Sequence, residues 1–320
     1  MSFALAITGP TASGKTALSL YLAQKLACEI ISCDSMQIYK EMDIGTAKAT
    51  VSERAACPHH VIDFLSPLDI YSAENYRDDA MRAVRDIESR GRLPLFVGGT
   101  GLYIDTVMRG GELLSPPSSE ELKERLLSLA ATDEDRQRLW ERLLEVDPES
   151  AMKTHKNNVR RVARALEIYE LTGKTKTYFD SLSKTVSPDI KIGMITLDFH
   201  NRELLYDRVN LRVDQMMDEG LLGEVESLYK RGFLPPDTTA GQAIGYKELV
   251  AHLEGKTTLD EAVELIKLST RRYAKRQLTW FRHCDCVRLY VDTEDGVQKE
   301  RTELCRELLL AANSLIEEKQ

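Results

Sequence analysis

Gly9-Pro10-Thr11-Ala12-Ser13-Gly14-Lys15-Thr16 matches the pattern G-x-x-x-x-G-K-[ST]. The apolar run Phe3 to Thr8 precedes it as a strand, and a helical pattern from Lys15 to Leu26 follows. That strand–turn–helix context is what this phosphate-binding loop requires. Glycine lets the main chain approach phosphates closely, and amide N–H groups at the positive end of a helix cradle an anion. Lys15 adds a point charge, and the Thr16 hydroxyl is a ligand for Mg²⁺. A di- or triphosphate ligand follows; which base, if any, does not, because the loop reads phosphate.

The motif also selects a fold class. Glu29 to Ser32, His60 to Phe64, Leu93 to Val97, Lys191 to Phe199 and Val287 to Val291 read as further strands. Ala73 to Arg90 has helical spacing and stops at Gly91. Strands alternating with helices imply an α/β fold with a parallel sheet flanked by helices, of the P-loop NTPase kind. Pro116-Pro117 breaks this pattern, Ser118 to about Thr172 is almost wholly helical with Gly173 as a stop, and Ser187-Pro188 is a second break. The expected organisation is a P-loop core at 1–112 and 191–320 and a mainly helical insertion at 113–190. After Asn201 the chain is helical, interrupted at Gly232 and Pro235-Pro236.

The carboxyl ends of parallel strands face the ligand crevice. The strand at 29–32 runs into Asp34-Ser35-Met36-Gln37, so Asp34 is expected beside the phosphate loop, as a helix N-cap, a metal-supporting acid or a catalytic base. Leu93 to Val97 exits into Gly98-Gly99-Thr100-Gly101-Leu102-Tyr103 where nucleotide hydrolases carry an acid. That exit suits either a tight turn or a substrate lying close to the main chain.

Composition narrows the setting. The apolar runs are too short to span a bilayer, and Met1 to Pro10 shows no basic leader or small-residue cleavage site, so no export signal is expected. Six cysteines lack disulfide-framework spacing, and Cys284 and Cys286 form C-x-C rather than the C-x-x-C of zinc sites, reading first as packed free thiols and second as metal ligands. A cytoplasmic, monomeric protein is expected. The net charge is −8, yet Lys153, Lys156, Arg160, Arg161 and Arg164 form one acid-free strip and Lys267, Arg271, Arg272, Lys275, Arg276 and Arg282 another. These read either as a phosphate-backbone footprint or as solvated faces paired with acids elsewhere. A small-molecule or nucleotide kinase shares the loop and the sheet. A GTPase-like switch would carry D-x-x-G and N-K-x-D segments, and neither is found.

In order and spacing, GPTASGKT at 9–16, DSMQIYKEMDIGTAK at 34–48, HHVID at 59–63, YSAENY at 71–76 and LPLFVGGTGLYI at 93–104 resemble the bacterial tRNA dimethylallyltransferases. RRVARALEIYELTGKT at 160–175, AIGYKEL at 243–249 and TRRYAKRQLTWFR at 270–282 extend the resemblance over nearly the whole chain. Glu41 and Ala49 depart from it, standing where the family is expected to carry glycine and proline. The resemblance implies transfer of the dimethylallyl group of dimethylallyl diphosphate to N6 of the adenosine at position 37, beside the anticodon, in tRNAs reading codons that begin with U. It implies Asp34 as the proton acceptor, ionised at neutral pH because an ordinary Asp has a pKa of about 3.9, and Thr100 as a contact of the reacting nucleotide. The donor's diphosphate would lie on residues Gly9 to Thr16 with Mg²⁺ on Thr16, and Arg208 or Arg212, Arg212 foremost, would add to the clamp. The tRNA anticodon stem-loop would be met by Asp34, Ser35, Met36 and Gln37, by Arg160, Arg161, Val162, Ala163 and Arg164, by Gln242, Gly245, Tyr246 and Lys247, and by Lys275, Arg276 and Trp280. Tyr246 and Trp280 read equally as core residues.

Overall fold

The computed structural model describes residues 2–109, 116–182 and 189–318. Its chain order is β1 (Ser2–Thr8), α1 (Lys15–Leu26), β2 (Cys28–Cys33), α2 (Val51–Ala56), β3 (His59–His60), α3 (Ala73–Ser89), β4 (Leu93–Gly98) and α4 (Gly101–Arg109). Five helices follow: α5 (Glu120–Ser128), α6 (Asp133–Val146), α7 (Pro148–Met152), α8 (Val159–Thr172) and α9 (Lys176–Leu182). Then come β5 (Ile190–Asp198), α10 (Arg202–Asp218), α11 (Leu221–Lys230), α12 (Tyr246–Leu253), α13 (Leu259–Phe281), β6 (Val287–Tyr290) and α14 (Arg301–Glu317).

The six strands pair in parallel in the order β3-β2-β4-β1-β5-β6. Strand β1 alternates as a two-sided buried strand must. Phe3, Leu5 and Ile7 pack with Leu18 and Leu22 of α1 and Leu205 and Val209 of α10 on one face. Ala4 and Ala6 face Tyr76 and Val84 of α3 and Ile104 of α4 on the other. Each fully buried Leu or Ile here contributes roughly 1.5–3 kcal/mol. The register sets Thr8 beside Gly98 and Cys33 beside Gly98, so three strand exits open at one edge of the sheet.

The expected strand over 60–64 is corrected: β3 holds only His59 and His60. Val61 and Asp63 have φ of 56° and 58°, and left-handed residues cannot continue a pleated strand. Asp63 instead takes the buried Lys48 at 2.9 Å and Arg54 at 2.8 Å. Glu41, the departure from the family's glycine, also stands left-handed at φ 62°.

The chain divides into two compact units, Met1–Met108 with Ile190–Gln320 and Arg109–Asp189. The second holds its own core of Leu126, Leu139, Leu143, Val162, Ala163, Ala165 and Leu166. Within it, the fully buried Glu167 accepts hydrogen bonds from Ser118, the Ser119 amide and Arg164. The expected boundary at 112/113 and the break at Ser187-Pro188 lie outside the described residues.

Candidate active site

The phosphate loop joins β1 to α1. Gly14, at φ 94°, caps α1 in the left-handed region without steric cost. Ala12 is left-handed too, at φ 61°, which costs an L side chain about 1–2 kcal/mol. Its carbonyl accepts the Arg208 Nε hydrogen at 2.8 Å, and Arg208 Nη1 donates to Gln298 Oε1 at 2.9 Å, so α10 braces the strained turn. Lys15 Nζ donates to the carbonyls of Pro10 at 2.7 Å and Gly9 at 3.1 Å. Burial pulls its pKa down to about 8, against the opposing charge of Asp34 and helped by that of Arg212. The Ser13 hydroxyl is buried with no hydrogen-bond partner among the described residues. Such a group costs about 1–3 kcal/mol until a polar ligand satisfies it. An orphan hydroxyl, a cation and a helix N-terminus in one loop are a donor set that fits a diphosphate. A cavity of about 650 Å³ opens beside it, with Ala12, Gly14, Lys48, Arg54, Arg208 and Arg212 on its walls.

At the exit of β2, Asp34 Oδ1 accepts the Met36 amide at 2.9 Å in a tight side-chain turn. Burial raises the Asp34 pKa, while the Met36 amide, Lys15 and Arg212 pull it back. At the exit of β4, the Thr100 amide donates to the Cys33 carbonyl at 3.1 Å. Thr100 Oγ1 accepts the Ser35 amide, also at 3.1 Å. Tyr273, from α13, lies close to Thr100 and Asp34, and burial and then the charge of Asp34 raise its phenol pKa. The sheet edge therefore brings together Lys15, Asp34, Thr100, Arg212 and Tyr273. Gln37 is occupied in holding the adjoining loop. Its Nε2 donates to the Thr46 and Ala47 carbonyls, each at 3.2 Å, and its Oε1 accepts from Ser32.

The remaining candidates are placed unevenly. Tyr246 is fully buried, and its hydroxyl donates to Glu224 at 2.6 Å, so of its two readings the core one holds and no RNA base can stack on it. Gly245 caps α12 at φ 95°, and Gln242 and Lys247 are exposed. Trp280 is partly buried against the core beneath α3 and α4. Val162 and Ala163 are each 1% exposed, so their side chains are core groups of the helical unit. The basic strips are thinner than the sequence suggests. Arg164 is held by the carbonyls of Pro116 and Pro117 and by Glu167. Lys153 pairs with Glu149, Lys156 with Asp133, and Lys267 with Asp214 and Glu264. Arg160, Arg161, Arg272, Lys275 and Arg276 remain exposed.

Sequence reasoning missed Tyr273, Gln277 and Glu224. The first two stand four residues apart within TRRYAKRQLTWFR, one helix face turned to the site, and that spacing was the available signal. Glu224 accepts from the amides of Asp43, Ile44 and Gly45 as well as from Tyr246, and nothing local in the sequence marks it.

A family model described as IPP transferase matches residues 37–284. A tRNA dimethylallyltransferase of Bacillus cereus is 48% identical over 291 residues, covering 91% of this chain and 90% of the relative. One from Thermoanaerobacter sp. is 46% identical over 285 residues, covering 89% and 90%. The solved tRNA isopentenylpyrophosphate transferase of Bacillus halodurans is 40% identical with a TM-score of 0.72, over 99% of this chain and 97% of that one. A eukaryotic dimethylallyltransferase acting on tRNA is 32% identical with a TM-score of 0.76, over 91% and 74%. With a P-loop sheet whose three strand exits gather these residues, and relatives alike over nine-tenths of its length, the chain belongs to the IPP transferase family.

Proposed function

We propose that the protein transfers a dimethylallyl group from dimethylallyl diphosphate to the exocyclic N6 of the adenosine beside a tRNA anticodon. The observation that carries this reading is the convergence of a diphosphate-type loop, through Lys15, with a carboxylate and a hydroxyl, Asp34 and Thr100, at one sheet edge. In the reaction the C1–O bond of the donor breaks and the diphosphate leaves with the electron pair. A bond forms from N6 to C1, and N6 gives up a proton.

The amine is a weak nucleophile because its lone pair is delocalised into the ring, so it needs an acceptor for that proton. Asp34 is suited to accept it, because burial makes it a stronger base than an ordinary carboxylate while Lys15 and Arg212 favour its ionised form. Thr100, fixed by the Ser35 amide, would orient the adenine. Lys15, Arg212 and the Ser13 hydroxyl would hold the diphosphate as its charge grows. The Thr16 hydroxyl would be the loop's ligand for Mg²⁺, which would screen that charge. Arg160, Arg161, Arg272, Lys275, Arg276 and Arg282 are exposed cations of the two strips and would be open to RNA phosphates. A base stacked in an anticodon loop must be splayed out to reach such a crevice.

The deciding experiment is mass spectrometry of nucleosides from unmodified tRNA incubated with the protein, dimethylallyl diphosphate and Mg²⁺. N6-dimethylallyladenosine is the expected product. Unchanged nucleosides, or a product that forms only as ATP is consumed, would overturn the proposal.

A further inference from the structure

Gln277 is the only side chain among the described residues that hydrogen-bonds both the phosphate loop and the glycine turn after β4. It is 5% exposed. Its Oε1 accepts the Thr11 amide hydrogen at 2.9 Å, and its Nε2 donates to the Gly99 carbonyl at 2.9 Å. With a main-chain donor on one side and a main-chain acceptor on the other, the amide has only one satisfactory orientation. The fit is close: a Cβ on Gly99 would lie 2.0 Å from Nε2, so glycine at 99 is what lets the amide in.

Both ends of this bridge lead to the reacting groups. Thr11 is inside the loop that carries Ser13 and Lys15. Gly99 immediately precedes Thr100, whose hydroxyl holds the Ser35 amide next to Asp34. The same face of α13 also places Tyr273 near Thr100 and Asp34. Strands β1 and β4 are neighbours whose register ends at Thr8 and Gly98, and beyond it Gln277 is the side chain that hydrogen-bonds both loops.

We propose that Gln277 is a positioning residue that fixes the phosphate loop against the Gly99-Thr100 turn, and thereby sets the donor carbon at reacting distance from the adenosine amine. The role rests on the prenyl-transfer reading given above. No other side chain of this length both accepts and donates at these two points. Met has the reach and neither polar atom, and an ionised Glu can only accept. Loss of the bridge leaves the Thr11 amide and the Gly99 carbonyl unpaired, and lets the loops drift by distances on which transfer rates depend steeply.

The test is transfer kinetics of full-length Gln277→Met and Gln277→Glu against the unsubstituted protein, with thermal melting recorded for each. In Gln277→Met the single-turnover rate is expected to fall on the order of 10²-fold, with donor KM and tRNA Kd within about threefold. In Gln277→Glu the loss should match this at about pH 8 and shrink towards about pH 5.5, because a protonated carboxyl again accepts from Thr11 and donates to Gly99. The rate ratio of Gln277→Met to the unsubstituted protein should stay flat with pH. A purely structural part would lower melting and move all parameters together, without that divergence. If Gln277→Met melts below the assay temperature, the pH dependence of Gln277→Glu alone decides. A full rate in folded Gln277→Met, or a flat ratio for Gln277→Glu, overturns the role while leaving prenyl transfer standing. An unsubstituted protein that transfers nothing overturns the functional reading and this role with it.

Discussion

Lys15 and Asp34 stand as opposite charges at the junction of two strand exits, and each gives up water on folding. Asn at 34 keeps the shape and removes the proton acceptor. Asp34→Asn should therefore slow single-turnover transfer by on the order of 10²–10⁴ while sparing tRNA and diphosphate binding; a near-normal rate would remove Asp34 from the chemistry. The sign of the stability effect is opposite. A carboxyl whose folded pKa is raised contributes stability below its ordinary value and loses it as pH rises through the raised one. At neutral pH the variant should accordingly melt higher, which a thermal scan checks. Lys15, pulled down to about 8, loses its charge above that pH in the free enzyme. The kcat/KM for the donor should fall as pH rises through this value. Lys15→Arg, always charged, should show no such alkaline limb whatever its absolute rate.

At the scale of elements, the loop after Asp34 is held from α11. The Glu224 carboxylate accepts three successive amides, at 3.0, 2.8 and 3.2 Å, and the hydroxyl of buried Tyr246 at 2.6 Å. Glu224→Ala leaves these donors unpaired and should destabilise the protein by about 1–3 kcal/mol in urea denaturation. It should also weaken tRNA binding, because residues 34–48 lose their anchor. Wild-type stability in that variant would mean the loop finds other partners. The sequence was explicit about long elements and silent about this kind of support. A continuous apolar run marks β1, strand-like composition marks β5, and helical spacing marks α3. The strand expected over 60–64 stops at His60 because Val61 and Asp63 take left-handed φ that no apolar pattern announces.

At the scale of the whole molecule, a net charge of −8 opposes a polyanion, so RNA affinity must come from local cations. Arg164 is committed to Glu167 and to two proline carbonyls; Arg160 and Arg161 on α8, Arg272, Lys275 and Arg276 on α13, and Arg282 at its end are among the cations left exposed. Each phosphate contact steepens the salt dependence of binding by roughly 0.7–0.9 log units per log unit of salt. Replacing Arg160 and Arg161 with Ala, or Arg272 and Lys275, should weaken tRNA binding and flatten the slope by about one to two such steps, with donor affinity unchanged. Folded variants with the parent slope would return these residues to the solvated surface.

By itself the sequence determined the phosphate loop, the parallel sheet around it and the family, since all three depend on residues adjacent in the chain or repeated at fixed periods. It carried Asp34 and Thr100 as candidates because both follow strands directly. Only the tertiary structure decided which side chains support them. Arg208 on the Ala12 carbonyl, Gln277 between Thr11 and Gly99, and Glu224 on residues 43–45 each bridge more than 175 positions. It also decided which basic residues are open to a partner and which are already paired. The physical reason is the same in each case: a hydrogen bond or ion pair depends on position in space, and neither period nor spacing encodes partners that the fold alone brings within 3 Å.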